Sequence, residues 1–199
     1  DELLSNFYQY RATAVEEGRS EPIRGYVLVR TGDVSNVDAL ARTLLQQGIA
    51  VERWTSPQQV EGKTVPAGSY LIVAAQPMKR LIRTLLEKQV SMPRRFLQAE
   101  EERRRRKEPS EIYDVTAWSL PLQFNVEAIP LKMIPKAPFE PVTLLSLSNG
   151  QFTTVSDALF YLVPWNTAAA RLLGAALQQG IRVLSNDRPF AQEDRKSVV

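Results

Sequence analysis

Tyr26-Val-Leu-Val-Arg30, Thr31-Gly-Asp-Val-Ser-Asn36, Val37-Asp-Ala-Leu-Ala-Arg-Thr-Leu44 and, beyond Gly48, Ile49-Ala-Val-Glu-Arg-Trp54 form one continuous grammar. The first run is apolar and β-branched without alternation, as a strand buried on both faces would be. The second is a turn with Ser35 and Asn36 as candidate N-caps. In the third, Val37, Leu40, Ala41 and Leu44 share one helical face. Gly48 sits where a helix needs a left-handed C′ residue, and Ile49–Trp54 reads as a second strand. Strand, helix and strand in that order predict a βαβ unit, and βαβ units predict a parallel sheet.

The neighbouring segments fit the same reading. Residues 1–17 read as a helix, with Leu3, Phe7, Tyr10 and Ala14 on one stripe and Gly18 ending it. Residues 56–67 are polar and contain Pro57, Gly62 and Pro66, so they read as a loop. Tyr70–Ala75 reads as a third strand. Pro77 opens a helix whose buried face is Leu81, Ile82, Leu85 and Leu86.

The middle changes character. Glu100, Glu101 and Glu102 each precede an arginine by four residues (Arg104, Arg105, Arg106), which supports a solvated helix. Residues 112–126 are aromatic-rich. Prolines 130, 135, 138 and 141 mark an extended connector. Val142–Leu147 reads as a strand, with Ser148-Asn-Gly150 as a turn and 151–155 pairing back. Leu159–Val163, a helix capped by Asn166 or Thr167, Gly180, and Ile181–Leu184 repeat the opening grammar.

That repetition reaches individual residues. Leu45-Gln-Gln-Gly-Ile-Ala-Val51 matches Leu177-Gln-Gln-Gly-Ile-Arg-Val183 at six of seven positions. A gapless match of Tyr70–Val90 to Tyr161–Ile181 pairs Tyr70 with Tyr161, Arg80 with Arg171 and Leu86 with Leu177. Duplication and convergence on one α/β grammar account for this equally well. The expected architecture is α/β: a layered, mostly parallel sheet with flanking helices, built from repeated βαβ units and flavodoxin-like. The expected divisions are 1–24 (helix and connector), 25–137 (first α/β unit with the charged helix and aromatic segment) and 138–199 (second, truncated unit, in one sheet with the first or in its own).

Composition limits the chemistry. The 199 residues include no His and no Cys, so His-based triads, cysteine nucleophiles, Cys- or His-ligated zinc and disulfides are excluded. The net charge is +3, from 25 basic and 22 acidic side chains. That is too little for nucleic acid unless the charge is clustered. The one cluster, Arg103–Lys107, follows glutamates that offset it and carries no interleaved aromatics, so a solvated face is expected and no nucleic-acid partner. No phosphate-binding glycine motif occurs, and the turn at Arg30–Asn36 reads as a plain βα loop. No apolar run approaches the roughly 20 residues of a membrane span. The paired carboxylates Glu16/Glu17 and Glu193/Asp194 sit in polar surroundings, unlike a general acid of raised pKa. Residues 195–199 read as an interrupted strand, so a fragment of a longer protein is expected.

The stretch Glu111-Ile-Tyr-Asp-Val-Thr-Ala-Trp-Ser-Leu-Pro121 is the most unusual. On a strand, Asp114, Thr116 and Trp118 share one face; on a helix, Asp114 and Trp118 are still neighbours. Tyr113, Asp114, Thr116 and Trp118 are therefore the candidate contact surface. The competing reading is a Trp/Tyr core anchor with Asp114 as a helix cap.

Three separated motifs carry a resemblance: Tyr8-x-x-Arg-Ala-Thr-Ala-Val-Glu-Glu-Gly-Arg19, Pro66-Ala-Gly-Ser-Tyr-Leu-Ile72 with Ala75-Gln-Pro-Met-Lys-Arg80, and Tyr113-Asp-Val-Thr-Ala-Trp-Ser-Leu-Pro121. Together they resemble the region downstream of the catalytic domain in bacterial zinc carboxypeptidase (carboxypeptidase A-like) proteins. The resemblance implies a class I glutamine amidotransferase-like α/β region, from which the Cys–His–Glu triad has gone. It implies no catalytic residue and no cofactor in this chain, zinc being expected only in the absent peptidase domain. It also implies an exported parent, with that peptidase domain as partner and peptide or cell-wall material as substrate. The expected role is a non-catalytic accessory domain, with the apolar face of the first helix and the segment at Trp118 as contact surfaces. The alternative is an autonomous small-ligand module, its site lined by the loops Arg30–Ser35, Ala75–Pro77 and Pro164–Thr167. A residual hydrolase using Ser and a carboxylate has no evident base.

Overall fold

A computed structural model describes residues 1–89, 92–112, 118–147 and 158–186. In chain order the elements are α1 (Glu2–Ser20), β1 (Gly25–Leu28), α2 (Val34–Gln46), β2 (Glu52–Trp54), β3 (Gln58–Val60), β4 (Lys63–Val65), β5 (Tyr70–Val73), α3 (Lys79–Leu86), α4 (Arg94–Arg105), α5 (Leu120–Gln123), β6 (Ala128–Leu131), β7 (Phe139–Pro141) and α6 (Thr167–Gln178).

The expected βαβ elements are present, but the parallel sheet is not. Five strands lie in the order β6-β1-β5-β2-β7, and all four pairings are antiparallel. β1 and β2 do point the same way, as a βαβ unit requires, but β5 lies between them. β5 and β6 likewise flank β1. Taking β1, β2, β5 and β6 as first to fourth, the order is 4-1-3-2, that of the split β-α-β-β-α-β arrangement. The layered parallel sheet of repeated βαβ units, flavodoxin- or glutamine amidotransferase-like, is therefore corrected to a mixed α/β fold with an antiparallel sheet.

The physical reason lies on the two faces of β1. Tyr26 and Leu28 face Val37, Leu40, Ala41 and Leu44 of α2 and Ile82 and Leu86 of α3. Val27 and Val29 face Trp54, Val60, Val65, Leu71 and Leu131. The second face is covered by a β3–β4 hairpin that the polar loop at 56–67 concealed. Its two turn residues, Glu61 (φ 46°) and Gly62 (φ 80°), both have the left-handed backbone of a type I′ hairpin turn. A strand covered on both sides loses its alternation whichever way its neighbours run, so the apolar run could not report direction.

Other expectations shift for local reasons. Gly18 does not end α1, which runs on to Ser20. The cap of α2 is Asp33, whose Oδ1 accepts from Ser35 N at 3.0 Å and Asn36 N at 3.3 Å. The proline-marked connector contributes both edge strands, with Pro130 in β6 and Pro141 in β7. Edges tolerate proline, because a missing N–H there breaks no central ladder, and proline discourages further pairing. Residues 142–147 form a turn rather than a strand, and 159–163 and 181–184 lie in neither sheet. The turn and pairing expected at 148–155 lie outside the described residues. No helix among the described residues is long and apolar enough to cross a membrane.

Candidate interaction surface

Two of the resemblance motifs are each other's partners. The α1 motif and Ala75–Arg80 together form the joint between α1 and α3. Gly18 lies against the backbone of Ala74 and Ala75, where a Cβ would fall 2.6 Å from the Ala75 nitrogen. That approach is why glycine occupies a helix interior, at a propensity cost of about 1 kcal/mol. Lys79 is buried, so its ammonium needs charge partners. It finds them on one face of α1 and just beyond: Glu17 Oε2 at 3.1 Å and the Glu21 carboxylate. Arg80 donates to Tyr10 O at 2.6 Å, to Thr13 Oγ1 at 3.1 Å and to the Glu17 carboxylate. Its guanidinium also stacks 4.1 Å from the Tyr10 ring centroid. Arg80, then Lys79, holds the Glu17 carboxyl below the usual carboxylate range.

The clamp grips α1 from Tyr10 to its C-terminal end. Arg11 marks the boundary, with Nη2 donating to Met78 Sδ at 3.7 Å and its guanidinium 5.3 Å from the Phe7 ring. Before it, Leu3, Leu4, Phe7 and Tyr8 are exposed. A shallow groove of about 570 Å³ runs along this half, lined by Asp1, Leu4, Ser5, Phe7, Tyr8 and Arg11. An apolar patch on a helix held at its other end is the candidate contact surface among the described residues.

Of the four expected contact residues, the described structure contains Trp118, which is 38% exposed. It immediately precedes Ser119, the N-cap of α5, and α5 packs on α3. Tyr113, Asp114 and Thr116 lie outside the described residues. The Lys79/Arg80/Glu17 clamp escaped the sequence reading because its members sit about 60 positions apart. The one available hint was the i, i+4 spacing of Glu17 and Glu21.

The alternative ligand loops do not converge. Arg30–Ser35 follows β1, whereas Ala75–Pro77 follows β5, which runs the opposite way and ends at the other end of the sheet. Their polar groups are also engaged. Arg30 forks onto Asp38 at 2.9 and 3.0 Å, and Asp38 Oδ1 accepts from Tyr70 Oη at 2.7 Å. Burial, then this hydrogen bond, pushes the Tyr70 hydroxyl up to about 12. The Gln76 amide spans Ala50 N at 2.7 Å and Val73 O at 2.7 Å.

The loop Arg30–Ser35 does meet Pro164–Thr167, because Thr167 N donates to Asp33 Oδ2 at 2.9 Å. Asp33 thus caps α2 with one oxygen and ties down α6 with the other. Burial acts to raise its pKa, but donation from Ser35, Thr167 and Asn36 prevails and holds it at about 2, below the ordinary 3.8. A depressed carboxyl contributes stability that is present above the unfolded value and lost as pH falls through the folded one. Acid titration from pH 4 to 2 should therefore release α6, read as a fluorescence change at exposed Trp165. Asp33→Asn keeps one acceptor for the α2 cap but turns an amide N–H₂ toward Thr167 N–H. It should give the same change at neutral pH while α2 stays folded.

The basic run is solvated, as expected, but its pairing differs. Arg106 pairs with Glu102 at 3.9 Å in the i, i+4 manner. Glu100 instead closes the loop after α4, accepting from Ser110 Oγ at 2.6 Å and Glu111 N at 2.9 Å. Arg103 turns to Glu108 at 3.8 Å and to Glu111. Among the described residues no three carboxylates gather as a metal site requires. Compared with known families, with characterised proteins and with solved structures, the chain matches none.

Proposed function

We propose that this chain is a non-catalytic accessory module of a zinc carboxypeptidase-like protein. It packs on the peptidase domain through the free half of α1 and the surface at Trp118, and helps that domain recognise peptide or cell-wall substrate. The observation that supports this reading is the two-part character of α1. Its C-terminal half is locked by Lys79, Arg80 and Gly18, while its N-terminal half presents Leu3, Leu4, Phe7 and Tyr8 to solvent. Burying such side chains is worth about 1.5–3 kcal/mol each, and the fixed joint lowers the entropy lost on docking. The engagement of Arg30, Asp38 and Gln76 within the domain favours this reading over a ligand module.

The test is a binding titration of the chain against a carboxypeptidase A-like peptidase domain from the same genome. Wild-type chain should bind. Leu4→Ser with Phe7→Ser should weaken binding at least tenfold, as should Trp118→Ala, with the melting temperature of the chain unchanged. If the bound module serves recognition, it should lower the peptidase KM and leave kcat alone. No binding by the wild-type chain overturns the proposal.

A further inference from the structure

The described sheet contains a rule for how its halves are completed. One half is β1–α2–β2 and the other is β5–α3 with β6. Every pairing among these four strands joins one half to the other: β6 to β1, β1 to β5, β5 to β2. Neither half pairs a strand with its own second strand. The two halves are related as by a two-fold axis between the antiparallel central strands β1 and β5. A half by itself would have both its strands out of any sheet and its apolar faces in water.

Residues 158–186 are in that condition. Their helix exit repeats that of α2 bond for bond. Gln47 N donates to Thr43 O and Leu44 O at 3.2 and 3.1 Å, and Gln179 N donates to Ala175 O and Ala176 O at 3.2 and 3.1 Å. Gly48 N reaches Leu45 O at 3.0 Å, and Gly180 N reaches Leu177 O at 3.1 Å. Ile49 N reaches Leu44 O at 3.1 Å, and Ile181 N reaches Ala176 O at 2.9 Å. Both glycines have left-handed backbone, φ 74° and 70°. The helix and its exit are therefore those of a half, yet burial is not. Leu40, Ile49 and Val51 are buried, whereas their equivalents Leu172, Ile181 and Val183 are 52%, 54% and 43% exposed. Leu159, Phe160, Leu162, Val163 and Leu184 are exposed too. The buried residue of α6 is Ala169, in the first turn, near the tie to Asp33.

We propose that residues 158–186 are half of a second split sheet, completed by the same residues of a second copy of this chain. The match of this segment to both β5–α3 and the exit of α2 carries the choice of occupant. The two halves of the described sheet are its two templates, so one such half fits another of its own kind. Across an exact two-fold, 159–163 of the two copies pair antiparallel at the centre. Residues 181–184 of each copy then pair outside 159–163 of the other, giving the 4-1-3-2 order again. Such an interface is isologous and closed, so it stops at two chains.

The experiment is sedimentation equilibrium on the whole chain, with variants and a cross-link. The wild type should be a dimer at micromolar concentration. Val163→Pro removes a central N–H and Ile181→Glu charges the buried face; each should raise the dimer Kd at least 100-fold. Far-UV helix content and melting of the first sheet should stay as in wild type, which separates the effect from misfolding. Leu4→Ser with Phe7→Ser should leave the dimer intact, which separates this proposal from α1 docking. The chain has no cysteine, so Tyr161→Cys, the position that meets itself when 159–163 pair across the two-fold, should give a disulfide-linked dimer under mild oxidation, and exposed Leu145→Cys should not. A wild-type monomer at 200 µM overturns the proposal, as does a dimer that Val163→Pro and Ile181→Glu leave unchanged.

Discussion

Gly18→Ala should undock α1, whereas Gly174→Ala should leave the protein as stable or more so. Both glycines are inside helices, and alanine improves helix propensity by about 1 kcal/mol at either. Their surroundings differ. No heavy atom lies within 4 Å of a Cβ added at Gly174. At Gly18 the new carbon would fall 2.5 Å from the Ala74 carbonyl carbon and 2.6 Å from the Ala75 nitrogen, both backbone. Backbone at the end of β5 cannot turn aside as a flexible side chain can. Overpacking of this kind costs about 1–3 kcal/mol, and α1 relieves it by lifting off. Lys79 then exchanges Glu17 and Glu21 for water, and the packing and hydrogen bonds of the α1–α3 joint are lost with them. The expected net loss is about 2–3 kcal/mol by urea titration, with proteolysis appearing between Arg11 and Glu21. Equal stability of the two variants would contradict the close approach at Gly18.

Trp54→Ala should be the most damaging single substitution on the other face of the sheet. Trp54 is fully buried and ends β2, where it pairs with Phe139 of β7. Its ring fills the layer between the sheet and the β3–β4 hairpin, with Val60, Val65 and Leu71. Deleting it opens a large cavity at the centre of the layer under the hairpin, at a cost of about 3–5 kcal/mol. Trp54→Phe should cost less than half as much. Phenylalanine keeps most of the apolar area, and the Trp54 indole N–H has no acceptor among the described residues, so its removal discards an unsatisfied donor. Paired thermal melts decide it: if Trp54→Phe is as damaging as Trp54→Ala, the N–H has a partner that matters.

The legible part of the fold was local. The stripe Val37, Leu40, Ala41 and Leu44 was visible because a half-buried helix keeps its period. Gly48 and Gly180 were visible as helix exits because only a residue without Cβ takes that backbone cheaply. The hairpin over the second face was not visible. Gln58–Val65 is polar, and the residues it buries, Val60 and Val65, are one at the end of each strand. For the candidate surface, the apolar stripe of α1 could be read directly. Which half of it faces solvent could not, since that depends on Lys79 and Arg80.

What the sequence determined by itself was the inventory: strand, helix and strand in order, the helix faces, the left-handed glycines, the repeat, and a chemistry without imidazole or thiol. Each is a property of a few neighbouring residues, set by sterics and periodicity. Pairing was settled by contacts between distant parts of the chain. β5 enters between β1 and β2, Gly18 meets Ala74, and Asp33 ties α6 to α2, all through partners remote in the chain. The reason is that a strand covered on both faces has the same apolar pattern beside a parallel or an antiparallel neighbour. Direction is then fixed by which backbone fills the gap, and no local periodicity encodes that.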